Sequence, residues 1–129
     1  MEGDLDLTVD FDATNNPISG SATNFTGELD GVATSATGTL TTAASSGVNA
    51  VSAQTTVLPI VGAITTTGLV AGLNGDLTDV GSGTTSNVEL GLIGTFIGIN
   101  GSGAFGASSA IIQTAGEPNV IAAGTFYLD

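Results

Sequence analysis

The sequence predicts an all-β protein: an antiparallel barrel or sandwich of about eight short strands, with little or no helix. Three observations carry that expectation. The chain opens on a strict two-residue alternation of apolar and acidic residues. Short apolar runs then recur between clusters of Gly, Asn, Ser and Pro, at the spacing of one strand plus its turn. Helical periodicity is scarce throughout. The chain has 129 residues, a length that suits one domain, and residues 1–129 are read as a single β domain.

The first strand is the clearest. Leu5, Leu7, Val9 and Phe11 alternate with Asp4, Asp6, Thr8, Asp10 and Asp12, which places one apolar face opposite a ladder of carboxylates. Asn15-Asn16-Pro17 supplies a turn, and residues 18–25 return as a second strand. Thr26-Gly27-Glu28-Leu29 recurs as Thr37-Gly38-Thr39-Leu40, a weak repeat of strand type. Residues 43–54 read as a loop with at most a short helix, because Ser45-Ser46-Gly47 interrupts any helical spacing. Further strands are expected over 57–66, 69–77, 87–99, 104–112 and 120–128. Asn74-Gly75, Gly81-Ser82-Gly83, Asn100-Gly101-Ser102-Gly103 and Gly116-Glu117-Pro118-Asn119 punctuate them. The expected interior is Leu5, Leu7, Val9, Phe11, Leu40, Leu90, Leu92, Phe96 and Phe105.

Charge is the strongest functional signal. Twelve acidic residues stand against no Lys, Arg or His, where ordinary composition gives roughly fifteen basic residues in this length. No side chain is available to replace the counterions of a phosphate backbone, so nucleic acid is excluded as a partner. Trypsin-like proteases find no cleavage site. Such a composition suits persistence outside the cell, and an extracellular, cell-surface or virion-surface location is expected. The opening Met1-Glu2-Gly3-Asp4 has neither the basic nor the apolar region of a signal peptide, so export is expected through a removed leader, a leaderless route or lysis. The longest apolar run, residues 57–64, is far short of the ~20 residues of a membrane helix. The aromatic girdles of a membrane barrel are also missing, and membrane insertion is not expected.

Between Val88 and Ile99 both faces of the predicted strand are apolar. Leu90, Leu92 and Phe96 lie on one face, with Ile93, Ile97 and Ile99 on the other. A small barrel needs only its inner face apolar. The outer one must be covered by another element of the chain or by another subunit.

Several stretches resemble the β-barrel domain of transferrin-binding-protein-like bacterial surface proteins. They are Leu7-Thr8-Val9-Asp10-Phe11, the return Ile18-Ser19-Gly20-Ser21, the run from Val88-Glu89-Leu90 to Phe96-Ile97-Gly98, and Gly103-Ala104-Phe105-Gly106-Ala107. The resemblance covers the first quarter and the last third of the chain and leaves residues 43–73 unmatched. It implies an eight-stranded barrel and a surface receptor whose loops contact a host protein. Where that family carries Lys or Arg after its Gly-Ala-Phe-Gly-Ala strand, this chain has Ser108-Ser109.

Chemistry finds little footing. A serine-type nucleophile needs a base, and neither His nor Lys is present to supply one. A sugar-cleaving pair of carboxylates would need a cleft usually built with Trp, Tyr and Arg, and the chain has no Trp and one Tyr. The chain is therefore read as non-enzymatic. Calcium is the one candidate cofactor. Asp4, Asp6, Asp10 and Asp12 repel one another along one face and a divalent cation would relieve them, although the loop from Asp10 lacks the glycine of an EF-hand. Asn24-Phe25-Thr26 and Asn100-Gly101-Ser102 fit the N-glycosylation pattern.

Two functions follow. One is a self-assembling structural subunit of a filament, matrix or virion surface, whose partner is itself. Its contact is expected on the first strand (Leu5, Leu7, Val9, Phe11) or on the second apolar face (Ile93, Ile97, Ile99). The other is a surface receptor or ligand-binding barrel.

Overall fold

The computed structural model describes all residues except 1, 14–15, 30, 43–48, 61 and 99–101. The protein is all-β. Its strands, in chain order, are β1 (Glu2–Val9), β2 (Ile18–Leu29), β3 (Val32–Gly38), β4 (Leu40–Thr42), β5 (Ala50–Leu58), β6 (Gly62–Asp79), β7 (Thr85–Ile97), β8 (Gly103–Thr114) and β9 (Val120–Leu128). All belong to one antiparallel sheet rather than to the two of a sandwich.

The topology is simpler than nine strands suggest. β3, β4 and β5 all run along the same side of β6, meeting it in turn at Thr37↔Thr78, Thr41↔Asn74 and Val51↔Leu69. They act as one interrupted strand line, and the sheet is an up-and-down meander in which each line pairs with the next. It curls until β1 and β9 come near each other without pairing, so the ring is only partly closed.

Alternation sets what lies inside. Leu5, Leu7 and Val9 of β1 pack against a core that includes Ile18, Leu40, Leu69, Leu73, Leu77, Val88 and Leu92. Each fully buried aliphatic side chain contributes about 1.5–3 kcal/mol. No polar or charged side chain is buried among the described residues, so cohesion rests on these apolar contacts and the hydrogen-bonded ladders.

Curling a sheet of this kind demands close strand approach, and glycine supplies it at β7–β8. Gly94 and Gly106 are direct cross-strand partners. A Cβ on Gly94 would lie 2.7 Å from Cζ of Phe126 and closer still to the Phe105 carbonyl, and one on Gly106 would strike the Ile93 carbonyl. The ring of Phe126 thus covers a bare stretch of backbone, which lets the sheet bend there. Asn74-Gly75, expected as a turn, lies instead inside β6. Gly75 sits where the line breaks between β3 and β4, and a Cβ there would collide with the Thr39 carbonyl. Close approach, not chain reversal, explains that glycine.

Other expectations are corrected as well. Residues 57–66 are not one strand, because the chain turns at Pro59-Ile60 between β5 and β6. Residues 50–54, read as loop, belong to β5, and 43–48 lie outside the described residues. Phe105 points outward at 49% exposure. Its neighbour Ala104 takes the inward place, flanked across the sheet by Phe96 and Leu128, whose bulk leaves room only for a small residue. Phe11 lies just past β1 and is 52% exposed. Its ring meets Phe96 edge-on, with centroids 5.1 Å apart, a contact worth about 0.5–1.5 kcal/mol. That contact ties the β1–β2 turn to β7, which neither strand pairs with.

Gly106→Val is expected to destabilise the fold by about 1–3 kcal/mol through overpacking, read from the denaturant midpoint. An unchanged midpoint would show that the bend tolerates a side chain.

Candidate assembly surfaces

The residues expected to carry function fall into three groups in the structure. The first is the β1 region. Leu5, Leu7 and Val9 are turned into the core, so their apolar face is already covered and only the edge of β1 is open. Asp4 and Asp6 project outward from the strand. Asp10 and Asp12 do not continue that ladder, because β1 ends at Val9. The Asp10 amide donates to the Pro17 carbonyl (2.7 Å), and an Asp10 carboxylate oxygen accepts from the Asp12 amide (3.0 Å). Asp4 accepts from the Asn24 side-chain amide at 2.7 Å. Asn24 stands at φ +56° where the β1–β2 register shifts, a bulge position that Asn tolerates. Among the described residues no three acidic side chains gather closely enough to hold a metal ion. The four predicted calcium ligands are strung out rather than convergent.

The second group is the outer face of β7, β8 and β9. Ile93 is well exposed and Ile97 half-buried, while Ile99 lies outside the described residues. Phe105 pairs across the ladder with Tyr127, and Ile111 with Ile121. All four are exposed, Ile121 to 77%. Between them Gly91 and Ser109 are cross-strand partners and leave a shallow hollow of about 310 Å³, lined also by Val70, Ile93 and Ala107. Residues 90–116 and 118–128 carry no charge, so this face is neutral over most of its extent. Sequence reasoning found Ile93 but assigned Phe105 to the core and overlooked the Ile111–Ile121 pair, whose alternation on β8 and β9 was visible.

The third group was missed altogether. β7 leaves β6 at Gly68↔Thr95, whereas β5 and β6 stay paired from Ala50↔Val70 out to Leu58↔Gly62. β5 pairs with no other strand. The outer part of this hairpin is therefore a two-stranded arm reaching beyond the sheet. Val57 is 75% exposed and Ile60 completely so.

No family model, curated protein or solved structure matches this chain. Of the motifs that carry the resemblance to transferrin-binding-protein-like domains, the first two lie at the end of β1 and the start of β2, and the last two on β7 and the start of β8, each pair being sheet neighbours.

The best-formed polar feature is the β6–β7 turn. Asp79 accepts from the Ser82 hydroxyl at 2.6 Å and from the amides of Gly81 (3.2 Å) and Ser82 (3.1 Å). The Ser82 hydroxyl bond first, and then the two amides, hold its carboxyl below the usual value of 3.8. A depressed folded pKa adds stability above the unfolded value and loses it as pH falls through the folded one. Wild type should therefore be more stable than Asp79→Asn above pH 3.8, with the gap narrowing at lower pH. A gap that does not change with pH in thermal melts would show that these bonds do not favour the charged form.

Proposed function

We propose that this protein is a non-enzymatic extracellular structural subunit that assembles with copies of itself into a filament, matrix or surface layer, a virion surface included. The observation that carries the reading is the outer face of β7–β9, where Ile93, Phe105, Ile111, Ile121 and Tyr127 are exposed and Glu89 is the charged residue of the three strands, on a chain of net charge −12. Large apolar side chains exposed on one face suit an interaction site. A charged partner gains nothing there, whereas a neutral apolar one does. The lack of any His or Lys base in the sequence supports a role without catalysis, and the cation-free composition supports a location outside the cell.

The hollow beside Gly91 favours a second reading, a surface receptor or ligand-binding β-barrel of the transferrin-binding-protein-like type. Such a protein would remain monomeric and bind its ligand as a monomer.

Chains this negative repel one another until salt screens them, over a Debye length of about 10 Å at 0.1 M. Wild type should sediment as monomer in low salt and as larger species in high salt. Calcium belongs to the proposal as a counter-ion to Asp4, Asp6, Asp10 and Asp12, and magnesium at equal ionic strength should promote assembly equally. A monomer under every condition would overturn self-assembly in favour of the receptor reading. A response to calcium alone would instead point to a chelating site.

A further inference from the structure

Resting on the self-assembly reading, we propose that the β5–β6 arm of one subunit seats on the outer face of β7–β9 of the next. Three observations converge on the arm. The first is charge. Residues 31–75, which contain the whole arm, carry no charged side chain in a chain with twelve carboxylates. Two copies that meet through the arm and the β7–β9 face, where Glu89 opposite Ile111 is the charged residue of the three strands, keep most of their carboxylates out of the contact.

The second is the tip. Ile60 follows Pro59 in the turn at φ +73°, a left-handed conformation that glycine or asparagine adopts freely and a β-branched residue only under strain. The strained residue is also completely exposed. Folding gains nothing from an isoleucine there, whereas a contact does. The side chain does not fold back onto its own sheet and stands free for a contact.

The third is geometry. Beyond Ser52↔Gly68 the arm runs from Ala53↔Thr67 to Leu58↔Gly62, six residues that extend roughly 20 Å, and one face of it spans on the order of 200 Å². That is a small contact by the standard of stable complexes, consistent with association that depends on concentration and salt. The arm and the β7–β9 face are different surfaces, so their contact is head-to-tail and need not close. It therefore generates a chain of subunits rather than a dimer. An arm-to-arm contact would leave the β7–β9 face bare.

The test uses the full-length protein in high salt, with Ile60→Asp on the arm and Ile121→Asp on the face. Aspartate accepts the left-handed position more readily than isoleucine, and circular dichroism checks that both variants are folded. Each variant alone should need at least about tenfold more protein to associate than wild type. Mixed in equal amounts, they should form a dimer that grows no further, because one retains a working arm and the other a working face. Ile60→Gly, which relieves the strain without adding charge, should keep the fold and lose assembly. If Ile60→Asp assembles like wild type, the arm is not the contact, although self-assembly stands. A mixture that stays monomeric overturns the pairing of arm with face. If wild type stays monomeric and floats with zwitterionic lipid vesicles, the arm serves a membrane, and this proposal and the self-assembly reading both fail.

Discussion

The constraint that shapes this molecule is the absence of any side-chain cation. Each of its twelve carboxylates must be solvated or held by neutral donors, and none is buried among the described residues. Asp4 leans on an asparagine, and Asp79 on a serine and two amides. In place of ion pairs the fold relies on apolar burial and backbone ladders alone. That demand explains the regularity of its inward positions, where a single polar residue would find no charged partner to satisfy it.

Small side chains answer the demand in a specific way. An interior filled by a modest number of Leu, Ile and Phe residues must draw its strands close. The Gly94–Gly106 pair beneath Phe126 shows how: the backbones meet where no Cβ intervenes, and one aromatic ring fills the space above them. The same logic places Ala104 between Phe96 and Leu128. It also turns Phe105 to the outside, because inward places are rationed by the bulk across the ladder.

Much of this was legible in the sequence, and the failures have physical causes. The alternation of β1 could be read directly, since polarity there reports one buried face, and the start of β9 from the Gly116-Glu117-Pro118-Asn119 turn before it. Phe11 and Phe105 were misplaced because a period of two, read on one strand, says nothing of where the strand ends or of what its neighbours have already filled. Asn74-Gly75 imitates a hairpin turn, and only the partner strand shows that this glycine serves close approach. The arm was invisible for a different reason. Residues 57–66 read as one strand because their run of apolar residues masks the turn that Pro59 opens. Apolar character ordinarily signals burial, whereas Val57 and Ile60 are exposed.

The β1 and β9 edges, at the two ends of the strand order, differ in charge. β1 presents Glu2, Asp4 and Asp6 along its length, whereas β9 carries no charge from Val120 to Leu128. Two β1 edges brought together would align carboxylates with no cation between them, a device that keeps strand edges from pairing at random. The acidic edge thus narrows the ways in which copies can meet, and the arm and the β7–β9 face remain as the surfaces on which contact carries the smallest electrostatic penalty. Charge and apolarity then act as one system. Repulsion supplies the specificity that a small apolar contact lacks, and screening by salt decides when that contact is allowed to form.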